Sequence, residues 1–86
     1  MKLNKAFIDH NAGEESVLVP TGKAEWSGVI RGNRILGEIL ALLHEETTEE
    51  AVVAGMKERF DAPEGAIEQD VARALKALRE VGALDE

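Results

Sequence analysis

The run from Glu45-Glu46 to Glu49-Glu50 places paired carboxylates at short spacing, the residue type that general acid–base catalysis uses. Such chemistry needs a shaped, partly desolvated pocket, whereas these acids surround a helix start, where the helix dipole favours negative charge in any case. They read as structural. His10 and His44 are too few and too widely separated for a metal site, and His44, near a helix end, has the same dipole explanation. Cysteine is absent, which removes disulfides, iron–sulfur ligation, thiolate zinc and thiol nucleophiles. There is no phosphate-cradling glycine loop, no Ser/His/Asp constellation that spacing supports and no basic–aromatic patch. No catalytic residue, metal or cofactor is expected.

What remains is recognition. Arg73, Lys76 and Arg79 recur at helical spacing and offer cations to a partner's carboxylates. Arg79 is the weakest of the three, since a cation in the last turn of a helix is favoured by the dipole alone. Trp26 is the single tryptophan and reads as a core or rim anchor rather than a ligand contact.

These side chains must be positioned by short elements. Ala6–His10 and Ser16–Pro20 are β-prone runs separated by Asn11-Ala12-Gly13-Glu14-Glu15, whose Asn and Gly supply turn chemistry, so they predict a hairpin. Trp26–Arg31 predicts a third strand, ended by Gly32-Asn33. From Asn33, a plausible N-cap, Ile35, Leu36, Ile39, Leu40, Leu42 and Leu43 follow helical spacing. Thr47 and Glu50 have capping-box spacing, and behind them Val52, Val53, Met56 and Phe60 face inward from a second helix. Pro63 is placed in the first turn of a third helix that runs to about Val81, with Ile67, Val71, Ala74, Leu75, Leu78 and Val81 as its buried stripe. Gly82 follows as the left-handed terminator, with Leu84 folding back. The expected fold is α+β and winged-helix-like, with three short N-terminal antiparallel strands followed by a three-helix bundle.

With 86 residues the chain is expected to form a single domain over 1–86, and 44% hydrophobic residues with few aromatics call for an aliphatic core. The net charge of −7 is concentrated centrally: residues 35–66 carry two Lys/Arg against eight Asp/Glu. Such a chain repels phosphate backbones, so nucleic acid is a poor partner. No apolar stretch suits a signal peptide or a membrane span, and a cytoplasmic location without membrane contact is expected.

The order and spacing of these elements resemble the PqqD-like family, also called RiPP recognition elements, where RiPP denotes a ribosomally made, post-translationally modified peptide. The resemblance spans nearly the whole chain. It is carried by Phe7-Ile8, Val17-Leu18-Val19-Pro20, Gly28-Val29-Ile30-Arg31, Asn33, Leu42-Leu43, Thr47-Thr48-Glu49-Glu50 and Phe60-Asp61-Ala62-Pro63. It continues through Asp70-Val71, Leu75, Leu78-Arg79 and Gly82-Ala83-Leu84. The chain departs from the family in having Asn33-Arg34-Ile35-Leu36 at the start of helix one, Leu40 where an aromatic is common, and Gly32 where a leucine is common. The resemblance implies a non-catalytic domain that captures the leader of a precursor peptide and delivers it to a modifying enzyme such as a radical SAM maturase. It further implies that the leader joins the sheet edge at the third strand and lies against the third helix. On that footing the expected peptide contacts are Ser27, Gly28, Val29, Ile30 and Arg31 on the strand, with Gln69, Arg73, Lys76, Ala77 and Glu80 on the helix. The scaffold also admits two other readings, a winged-helix DNA-binding domain and a structural dimerisation module using the same edge. Charge disfavours the first, and a monomer or weak homodimer is expected.

Overall fold

The computed structural model describes residues 1–22, 24 and 28–86. Along the chain run β1 (Lys2–Leu3), β2 (Phe7–Ala12), β3 (Glu15–Pro20), β4 (Ile30–Asn33), α1 (Arg34–Leu42), α2 (Glu49–Arg59), α3 (Ala66–Glu80) and β5 (Leu84–Asp85). The expected α+β, winged-helix-like architecture is present, with N-terminal antiparallel strands followed by three helices.

The hairpin is tighter than its sequence suggests. Asn11, Ala12 and Glu15, read as turn, are paired in the ladder, and only Gly13-Glu14 forms the loop. Gly13 sits at φ +68° and Glu14 is not in the positive-φ region, the pattern of a two-residue II′ turn that needs glycine first. The third strand is shifted: β4 begins at Ile30 and extends through Gly32-Asn33, which pair with Ser16 and Glu15. Gly28 and Val29 precede it, while Trp26 and Ser27 lie outside the described residues. A second, two-stranded sheet that the sequence reading missed joins β1 to β5, with Leu3 opposite Leu84.

Helix ends follow local chemistry, with two adjustments. Asn33 caps α1 as expected, its Oδ1 accepting from the Ile35 N–H at 3.0 Å and the Leu36 N–H at 3.4 Å. The cap of α2 is Thr48, which accepts from the Ala51 N–H at 3.1 Å, one residue later than expected. Thr47 is engaged elsewhere, its N–H donating to the Met1 carbonyl at 2.9 Å. Helix α3 starts at Ala66 rather than at Pro63, because Pro63 opens a turn in which the Ala66 N–H reaches its carbonyl at 3.1 Å. At the far end Gly82 takes φ +75°, with Gly82 N–H donating to Arg79 and Ala83 N–H to Leu78. These two bonds form a Schellman motif and send Leu84 back towards Leu3.

The core is aliphatic. Leu18 of β3, Ile39, Leu40 and Leu43 at α1, Val52 and Met56 of α2, and Val71, Leu75 and Leu78 of α3 are all essentially inaccessible. Each such burial contributes about 1.5–3 kcal/mol relative to an exposed side chain. Surface pairs tie the helices together: Arg59 reaches Glu38 at 3.1 Å, and Lys57 donates to Glu68 at 2.8 Å. The Lys57 hydrogen bond, followed by the Glu68 backbone, holds the Glu68 carboxyl below its ordinary value of 4.5. Its contribution is therefore fully present above about pH 4.5 and is lost as pH falls through the depressed folded value. Thermal melts of Glu68→Gln and the parent are expected to differ slightly at neutral pH and to converge in acid.

Candidate functional site

The hydrogen-bond parity of the three-stranded sheet fixes what its edge offers. Thr21 N–H donates to the Ala6 carbonyl at 2.7 Å, so Phe7 and Pro20 form a non-hydrogen-bonded pair, which suits a proline. Counting along the ladder by twos, Leu18 and Ser16 direct their backbone groups towards β4 and bond Ile30 and Gly32. Arg31, between them, must turn its N–H and C=O the other way. The strand order is β2-β3-β4, so among the described residues that direction is an open edge of the sheet.

Beside this edge lies a groove of about 450 Å³. One wall is β4, from Ile30 to Asn33; the floor is Ile35, Leu36 and Ile39 of α1; the other wall is Asp70, Arg73, Ala74 and Ala77 of α3. The α3 residues recur at i, i+3, i+4 and i+7, one continuous face. Small side chains keep the groove open, with Ala74 and Ala77 on α3 and Gly32 on β4. A β-carbon on Gly32 would come within 2.5–3.2 Å of the Leu36 side chain, so this glycine lets α1 approach the strand closely. Arg31 and Arg73 give the lining two guanidiniums against the single carboxylate of Asp70, in a chain of net charge −7. Arg73 is well exposed and only 3.9 Å from Asp70, while Arg31 stands 3.9 Å from Glu15, so both cations remain accessible to a ligand.

The expected contact residues divide accordingly. Ile30, Arg31, Arg73 and Ala77 meet in the groove. Gly28 and Val29 stand just before β4, with Val29 exposing nearly half its surface, 47%. Ser27 lies outside the described residues. Gln69, Lys76 and Glu80 are exposed on α3 but do not line the groove. A groove is bounded by the residues that flank a helix's buried stripe, and these three sit nearer the centre of its polar face. Asp70 flanks the stripe of Ile67, Val71, Leu75 and Leu78, a signal already present in the helical period, whereas Ala74, expected within that stripe, lies at its margin and is part-exposed to the groove.

Other candidates have structural partners. His44 Nε2 lies 2.8 Å from Asp9 Oδ1, bridging the end of α1 to β2. Arg79 makes three hydrogen bonds to the Glu86 carboxylate, which raises its own pKa and lowers that of Glu86. Among the described residues no group of acids and histidines could hold a metal ion, and no helix is long and apolar enough to cross a membrane.

Comparison with known proteins bears on this groove. The family model described as coenzyme PQQ synthesis protein D (PqqD) matches residues 15–84. A solved structure, "TbiB1 in Complex with the TbiA(beta) Leader Peptide", superposes with a TM-score of 0.72 at 22% identity, over 99% of this chain and 100% of that one. At that identity the likeness establishes the fold. No curated protein matches the sequence.

Proposed function

The chain belongs to the PqqD-like family of leader-peptide recognition domains, and from that membership we propose that it captures its leader by strand addition at β4, in the groove against α3. Domains of this family recognise the leaders of ribosomally made precursor peptides on behalf of a modifying enzyme and are not themselves enzymes. The observation that carries the mechanism is the outward-turned Arg31 backbone, which pairs with no strand among the described residues, at the sheet edge directly beside the groove. An extended peptide pairs with such an edge largely regardless of sequence, while its alternate side chains enter the groove and give specificity. Arg31 and Arg73 favour a leader with carboxylates at those positions. Ordering an unstructured ligand offsets part of the gain, and a dissociation constant around micromolar, about −8 kcal/mol, is expected. The 86 residues act as one recognition unit, monomeric or weakly dimeric, that delivers the leader to a modifying enzyme such as a radical SAM maturase.

Isotope-labelled protein titrated with the leader of its precursor peptide tests the mechanism. Saturable NMR shifts are expected at Ile30–Asn33 and along Asp70, Arg73, Ala74 and Ala77. Arg31→Pro removes the outward N–H without touching the β3 ladder, a placement that an edge strand tolerates. It should weaken binding about tenfold beyond Arg31→Ala, which removes only the side chain. Equal losses in the two variants would exclude strand addition at this edge. A steep fall of affinity with salt for duplex DNA would instead favour the nucleic-acid reading.

A further inference from the structure

A second, smaller cavity opens where α1, the end of α2 and the start of α3 converge. Its apolar lining is Ile35, Met56, Phe60, Ala62, Ile67 and Val71, and it encloses about 110 Å³. It shares Ile35 and Asp70 with the groove beside β4, so the two adjoin at the start of α3. Its remaining lining residues are acidic: Asp61, which is exposed, and Asp70, which is part-exposed. The Phe60 wall is braced from outside by the Arg34 guanidinium, 5.6 Å from the ring centroid, which occupies that cation on the aromatic face.

We propose that this cavity is a specificity pocket for one aliphatic side chain of the bound peptide, with a lysine or arginine beside it in the peptide meeting Asp61 and Asp70. The inference rests on the strand-addition reading above, because the backbone must already lie along the groove to deliver a side chain at Ile35. Size selects the side chain. A dry apolar cavity of about 150 Å³ takes up benzene, and one of about 110 Å³ suits a leucine, isoleucine or valine better than a phenol or indole. Charge selects its neighbour: Asp61, with Asp70 shared at 3.9 Å with Arg73, puts negative charge beside an otherwise apolar lining and favours a cation over an acid. The ligand then has a polarity, with carboxylates opposite Arg31 and Arg73 and an aliphatic–basic pair at the α2–α3 end.

The test is selection of a displayed library of random unstructured peptides on the intact protein. Binders that compete with one another and are lost on Ala77→Trp, a substitution within the groove, are retained. These are expected to share an aliphatic residue adjacent to lysine or arginine. Changing that aliphatic residue to alanine in a synthetic copy should weaken binding about tenfold or more, and changing it to tyrosine should be no better than alanine. Ala62→Trp, which plugs the pocket from an exposed position, should match that loss, and Asp61→Lys should reverse the preference for the basic neighbour. Groove binders with no aliphatic preference, or an affinity unmoved by both the peptide change and Ala62→Trp, would overturn the pocket while leaving strand addition standing. Absence of any binder sensitive to Ala77→Trp would overturn both. The peptide substitutions need no protein variant and therefore decide the matter even if Ala62→Trp fails to fold.

Discussion

Ala77→Trp is expected to cost at least about a hundredfold in leader affinity while leaving the domain folded. Ala77 is exposed and forms part of the α3 wall of the groove, so an indole there projects into the space the extended peptide needs rather than into the core. The fold should survive, because Trp in place of Ala at an exposed helical site costs only up to about 0.7 kcal/mol in propensity. Binding should not. A displaced peptide forfeits burial of its groove-facing side chains, about 1.5–3 kcal/mol each, as well as edge hydrogen bonds of about 0.5–1.5 kcal/mol each. Calorimetric titration with the leader checks the loss, and an unchanged far-ultraviolet circular dichroism spectrum and Tm check the fold. Retained affinity would place the leader elsewhere on the molecule. Lys76→Ala, on the same helix but outside the groove lining, should change affinity less than about fivefold, as expected for an exposed charge.

Gly37→Ala is expected to destabilise the protein by about 2 kcal/mol, although helix propensity alone predicts a gain of about 1 kcal/mol. Gly37 is buried in α1 where the helix crosses the hairpin, and a β-carbon there would collide with Asn11 Oδ1 and Ser16 Oγ. Those two atoms are hydrogen-bonded to each other, Ser16 donating to Asn11, and Ser16 is fully buried. Relieving the clash therefore means either moving the hairpin, an overpacking cost of about 1–3 kcal/mol, or leaving the Ser16 hydroxyl unsatisfied at a similar cost. On a domain of this size, total stability is only about 4–13 kcal/mol. Urea denaturation measures the change, and a neutral or stabilising result would contradict the close crossing. Ser16→Gly in the Gly37→Ala background should recover part of the loss, because neighbouring sites couple.

Those two positions mark what could be read from the chain and what could not. Gly37 lies among the helix-one residues and nothing in the local pattern distinguishes it; its role comes from a strand pair distant in sequence. The groove was half legible. Helix phase points to Arg73 and Ala77 on α3, but the expected Gln69, Lys76 and Glu80 lie on the solvent side of that face, and Asp70 and Ala74 complete the groove wall. Gly28-Val29 belongs to a β-prone run yet precedes the first paired residue, Ile30, while Gly32-Asn33 reads as a break until its pairing with Ser16 and Glu15 is known. Pairing across strands can hold a glycine in extended conformation that its own propensity would not choose.

By itself the sequence determined the α+β order, the aliphatic stripes of the helices, the Asn33 cap and the Gly82 terminator. All of these depend on interactions within a few residues, where period and side-chain chemistry are sufficient. The same local patterning carried the family resemblance. Tertiary structure decided the register that turns the Arg31 backbone to an open edge, the β1–β5 pairing of the two chain ends, and the groove and pocket that form where β4, α1, α2 and α3 meet. Each of these joins residues far apart along the chain, and a cavity between elements is set by how they pack together, which no single segment encodes.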